Sequence, residues 1–151
     1  LSIKMLKKCE REIKKNKKAL VYNVVTNLKK GDNGSPQVVK CLINKSGFIN
    51  NYYRNKKIKI ANSIVRKSSG ILIFKRELLN KLNTLKMKSK ERAYKIEQFR
   101  FLENNISVKS IFYKDIYPSI NNKKELRALL SKVKKDRIEL NNLKEIEKIE
   151  Y

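Results

Sequence analysis

Histidine and tryptophan are missing from this chain of 151 residues, cysteine, proline and methionine occur twice each, and glycine four times. Without histidine there is no imidazole base, so the common acid–base and triad chemistries are excluded. Two cysteines, Cys9 and Cys41, are too few for a disulfide framework and read as reduced, small apolar residues. With no histidine beside them, a zinc site is not expected. Neither the glycine fingerprint of dinucleotide-binding folds nor a phosphate-binding P-loop occurs. No apolar run approaches the ~18 residues of a membrane span. The expectation is therefore a chain without catalytic activity, cofactor or metal, and with no membrane among its partners.

Acidic residues are also scarce. Lys and Arg total 38 against 14 Asp and Glu, a net charge of +24. Residues 1–90 carry 24 basic and 4 acidic side chains, whereas residues 91–151 carry 14 and 10. So large an excess repels itself, and a polyanion is the partner that relieves it. The 40% of hydrophobic residues suffices for one modest core. Lysine, asparagine and isoleucine dominate, which reflects an AT-rich coding sequence, and the first residue is Leu.

Apolar spacing suggests helices. Residues 3–16 form a basic stretch with a thin apolar stripe, a short helix or an arm lying on the polyanion. Leu20, Val24, Val25 and Leu28 are spaced as on one helix face. The segment Gly31-Asp32-Asn33-Gly34-Ser35-Pro36 reads as a reversal between helices, with Ser35 as N-cap and Pro36 at the first helical position. Further helices are expected over about 36–55, interrupted at Gly47, over 63–86 with Leu78, Leu79, Leu82 and Leu85 in the core, and from Ser89 onward. Of the adjacent Tyr52 and Tyr53, one should face the core and the other solvent or RNA. Residues 106–113 read as extended or irregular. Pro118 ends that segment, and residues 122–149 carry leucines at helical spacing between alternating charges.

The hook Asp32-Asn33-Gly34-Ser35-Pro36-Gln37-Val38-Val39, the basic joint from Lys57 to Ser63 and the segment Arg76-Glu77-Leu78-Leu79-Asn80-Lys81-Leu82 resemble the bacterial-type small-subunit ribosomal protein S-fifteen family. Glu91-Arg92-Ala93-Tyr94 is similar to that family's closing helix. The resemblance implies an all-α fold, a four-helix core over 17–103 flanked by a basic N-terminal arm (1–16) and a C-terminal extension (104–151). It implies a structural constituent of the small ribosomal subunit that grips an rRNA three-way junction and a duplex minor groove near the intersubunit interface. The RNA-binding residues it implies are Asp32, Asn33, Gly34, Ser35, Tyr53, Arg54, Lys56, Lys57, Lys59, Asn62, Ser63, Lys75, Arg76 and Lys81. Its partners would be small-subunit rRNA, neighbouring small-subunit proteins through the extension, and large-subunit rRNA at a bridge. The flanking segments and the missing Met suggest a mitochondrial ribosome, or a plastid-type one. The competing expectation is a free-standing basic helical protein that binds nucleic acid or a membrane surface.

Overall fold

Val21-Tyr22-Asn23-Val24-Val25-Thr26 is a run of β-branched and aromatic residues, the composition that fits a pleated, half-covered surface. In the computed structural model it is a strand. The structure describes residues 3–54, 63–114, 123–133, 135 and 141. Contacts divide the chain into two units, Leu1–Asp115 and Ile116–Tyr151.

The first unit opens with helix α1 (Ile3–Lys15), followed by strands β1 (Val21–Thr26), β2 (Lys40–Ile43), β3 (Phe48–Tyr53) and β4 (Ile64–Phe74). Short helices α2 (Arg76–Leu79), α3 (Ser89–Tyr94) and α4 (Phe99–Glu103) precede strand β5 (Val108–Phe112). The five strands close into a barrel in the order β1-β4-β2-β3-β5, with β5 parallel to β1. The barrel is closed by β3 and β5, which pair at Phe48 with Lys109 and at Ile49 with Val108. The second unit contains helix α5 (Lys123–Val133), on which Leu126 and Leu130 are exposed.

The all-α expectation is overturned, and with it the resemblance to the ribosomal family. The helix expected to carry Leu20 to Leu28 is β1, the helix over 36–55 is the hairpin β2–β3, and the helix over 63–86 is the long strand β4 followed by α2. A short apolar run fits a buried strand as well as a helix by spacing alone, and here strand pairing decided. Gly47, expected inside a helix, turns the hairpin at φ +78°, and its amide donates to the Asn44 carbonyl at 2.9 Å. Ser35 caps nothing helical: its hydroxyl accepts from the Gln37 amide at 3.3 Å within the β1–β2 loop. The extended reading of residues 106–113 corresponds to β5 and the basic stretch 3–16 to α1.

Directly paired residues share a sheet face, so the register separates inside from outside. Val21 pairs with Phe74 and Val108, and Val25 with Ser68 and Phe112, so these six point into the barrel. Val21, Val25, Cys41, Ile43, Ile49, Tyr52 and Val108 form the core together with Leu78, Ile96, Phe99 and Phe101 from the helical segment. That segment closes the barrel end at which β1 begins. Phe74 meets Phe101 at 5.5 Å between ring centroids, and Tyr52 meets Phe99 edge-on at 5.8 Å. Each such pair adds about 0.5–1.5 kcal/mol beyond its buried area. Leu79 departs from the expected leucine stripe and is 49% exposed, whereas Leu82 and Leu85 pack against the core.

At the middle of β1 the ladder with β4 shifts register between Asn23 and Val25, beside Gly70 at φ +77°. The bulge leaves backbone groups unpaired, and the buried Asn23 amide satisfies them by donating to the carbonyls of Val24 (3.2 Å) and Ile71 (3.1 Å). Its oxygen accepts from the hydroxyls of Ser68 (3.0 Å) and Tyr52 (3.2 Å). On the outer face, Tyr22, Val24 and Ile111 are buried although they stand outside the barrel core. Helix α1, with Met5 and Cys9 buried one turn apart, covers this face, and the Tyr22 hydroxyl donates to the Asn16 carbonyl just past its end.

Candidate functional site

Helix α1 buries one stripe and leaves another to solvent. Lys4, Lys7, Lys8 and Arg11 stand at i, i+3, i+4 and i+7, one face of a helix. Like charges at this spacing destabilise a helix. The helix's acids pair elsewhere, Glu10 with Lys14 at 2.6 Å and Glu12 with Lys15 at 3.6 Å. Among the described residues no acid forms an ion pair with the four stripe cations.

The stripe borders the barrel end opposite the helical plug. Lys4, Lys7, Lys8, Glu10, Arg11 and Tyr113 line an open concavity of about 690 Å³. Beside it, Phe112 points along the inner side of β5 at the rim and remains 37% exposed. The Lys8 ammonium lies 5.7 Å from the Phe112 ring centroid and 6.0 Å from that of Tyr113, and the Arg66 guanidinium lies 5.2 Å from Phe112. The site thus joins unneutralised cations to aromatic faces, the pairing that holds phosphate and base together.

Of the residues expected to bind RNA, none lines this concavity. Asp32 accepts from the Lys29 amide at 2.9 Å and forms an ion pair with Lys67 at 3.5 Å, so it braces the loop. Asn33, Gly34 and Ser35 belong to the same turn, Gly34 at φ +109°. Tyr53 accepts from the Asn51 amide at 3.0 Å, while its neighbour Tyr52 lies in the core. Arg54 clamps two loops through the carbonyls of Pro36 (3.1 Å) and Lys95 (3.3 Å). Lys75 donates to the Lys17 carbonyl, Arg76 opens α2, and Lys81 accepts at its carbonyl from the Thr84 hydroxyl at 2.8 Å. Ser63 lies just before β4, and Lys56, Lys57, Lys59 and Asn62 lie outside the described residues.

The sequence reading marked the 3–16 stretch as a polyanion-contacting arm but named none of its side chains as a site, and it missed Arg66, Phe112 and Tyr113. The adjacent aromatics before Lys114 were the available signal. Among the described residues no group of three or more cysteines and carboxylates is placed to hold a metal ion.

No family model matches the chain, and no similar curated protein was found. A solved structure of CMP:2-keto-3-deoxy-manno-octonic acid synthetase complexed with CTP is similar, with a TM-score of 0.75 and 16% identity over 87% of this chain and 57% of that one. The chain therefore spans little more than half of that enzyme, and at this identity the likeness carries the fold alone. It gives the ribosomal assignment no support, and together with the barrel it removes the helical scaffold on which the rRNA-binding role and the competing helical reading both depended.

Proposed function

We propose that the chain binds single-stranded nucleic acid across the cation stripe of α1 and the aromatic rim of β5. The observation that carries this reading is the row Lys4, Lys7, Lys8 and Arg11, unpaired among the described residues, facing a concavity bounded by Tyr113 beside Phe112. An open, shallow face suits a strand whose bases can be splayed onto aromatic rings. A duplex keeps its bases stacked on each other and offers nothing to Phe112. The net charge of +24 favours a polymer, whose phosphates recur, over a single small anion.

Fluorescence anisotropy with a labelled ten-nucleotide strand tests the proposal. The logarithm of affinity should fall with the logarithm of salt by about 0.7 per phosphate contact. Lys7→Ala and Arg11→Ala should each flatten that slope by about one contact. Phe112→Ala should weaken binding by about 1–3 kcal/mol, the range for losing one stacked base. Binding that is indifferent to all three substitutions, with circular dichroism unchanged, would falsify the assignment of this face.

The CTP in the similar enzyme favours a second reading, a free nucleoside triphosphate in the same concavity. Unlabelled CTP then displaces the strand at micromolar concentration. If the polymer is the ligand, CTP competes only weakly, as a general anion.

A further inference from the structure

A second concave surface lies at the other end of β5. Asn44, Asn50, Phe48, Leu102 and Ile106 are among the residues lining a groove of about 550 Å³ between the β2–β3 hairpin and the residues that lead into β5. Phe48, Leu102 and Ile106 are half-buried and form an apolar floor. The asparagines stand at its rim, Asn50 exposed. Flat apolar faces with a polar edge are the description of a nucleobase, and the groove has the complementary form.

Hydrogen bonds settle which way the rim amides point. The Phe48 backbone amide donates to the Asn44 side-chain oxygen at 2.9 Å, so the Asn44 nitrogen must face the other way. It donates to the Asn50 oxygen at 3.2 Å, which in turn fixes the Asn50 nitrogen. Both side-chain oxygens are engaged, and among the described residues the Asn50 nitrogen makes no hydrogen bond. At Asn50 the rim therefore offers N–H donors, beside Asn105 and Ser107, which line the same groove.

We infer that this groove holds one base of the bound strand and selects bases that present a carbonyl acceptor, uracil and guanine, over those that present an amino group at the same edge. The inference rests on the proposed strand-binding face and adds its sequence preference. Uracil and cytosine have the same size and stacking face, but uracil shows an acceptor at O4 where cytosine shows an N4 donor, which would meet donor with donor. From Ser107 in the groove to Phe112 at the rim is five residues of β5, about 17 Å at 3.3 Å per residue. That corresponds to about five stacked nucleotides at 3.4 Å each.

The test compares oligouridylate with oligocytidylate on the full chain. Eight-nucleotide strands should show uridine bound about tenfold more tightly, and three-nucleotide strands, too short to reach from rim to groove, should show no preference. Asn50→Asp replaces donors by acceptors in nearly the same volume, so the uridine-to-cytidine ratio should fall at least fivefold whatever the added charge does to absolute affinity. The side-chain amide signals of Asn44 and Asn50 should shift with the eight-nucleotide uridine strand and not with the three-nucleotide one. Equal binding of the two homopolymers, or a ratio unchanged in the variant, overturns the groove assignment and leaves the strand-binding face standing. No binding of either overturns both.

Discussion

Lys40 has no surface exposed to solvent, an unusual place for a lysine. It begins β2 beneath the β1–β2 loop, and its ammonium donates to the carbonyls of Ser35 (3.4 Å) and Val38 (3.2 Å). The cation thereby ties the loop to the barrel. Burial pulls its pKa below the ordinary 10.5, Asp32 pushes it back up, and Arg54 adds to the lowering. The folded protein therefore releases this proton before the unfolded chain does. Between the lowered value and 10.5 the unfolded state binds more protons, so this residue's contribution to stability rises as pH rises through that window. Urea denaturation at stepped alkaline pH should show that rise relative to Lys40→Met, in which it is absent; parallel pH profiles would disprove the coupling. The cysteines are the other buried titratable case. Burial pushes the Cys41 thiol up to about 12 and raises Cys9 as well. Both should resist a thiol reagent at pH 8 in the native state and react together in denaturant. Sequence reading placed both correctly as small apolar residues, because that reading needed only their number. It had no access to Lys40, whose burial depends on the loop folded over it.

At the scale of elements, the hairpin β2–β3 is the clearest case of local chemistry with a tertiary purpose. Asn44 closes the turn twice, through its backbone amide to the Phe48 carbonyl and its side chain to the Phe48 amide, both at 2.9 Å. Gly47 supplies the left-handed residue at φ +78°, and a side chain added there would meet the Lys109 ammonium at 2.9 Å, the far end of a flexible chain. Strain, more than collision, sets the cost of substitution. Gly47→Val should therefore lower stability by about 1–2 kcal/mol, measured by urea denaturation, and Gly47→Asn by visibly less, since asparagine tolerates that conformation. Equal losses would point to crowding against Lys109. The helix-versus-strand confusion belongs to this scale too. Val24 and Val25 satisfy a helical spacing with Leu20 and Leu28, yet they are adjacent buried residues on opposite faces of β1, one under α1 and one in the barrel. A strand covered on both sides loses the alternation by which strands are recognised. The helical segment has its own internal brace: Arg100 holds the buried Glu91 through two nitrogens at 2.6 and 2.9 Å, and Glu103 caps the amides of Lys90 and Glu91.

For the whole molecule, charge sets opposite responses to salt. The +24 of the free chain repels itself, so sodium chloride should raise the melting temperature as screening shortens the reach of that repulsion from about 30 Å at 0.01 M to 8 Å at 0.15 M. The same increase should weaken strand binding, because counterions compete for the phosphates. Melting that is flat in salt would mean that the cations are already neutralised within the fold. The extended alternative for residues 106–113 was legible in the local sequence. The lysine and arginine row of α1 was legible in spacing as well, at positions 4, 7, 8 and 11. The fold class was not. Nothing in the order of residues says that β5 lies parallel to β1 across more than eighty intervening positions, or that the chain from Arg76 to Glu103 plugs one end of a barrel. Local text such as Asp-Asn-Gly-Ser-Pro specifies a turn and is indifferent to whether helices or strands leave it. Which of the two leave it is decided by long-range pairing of backbone amides and carbonyls, satisfied only once all five strands close. The same closure brings Arg66, Phe112 and Lys8, distant in sequence, to one rim.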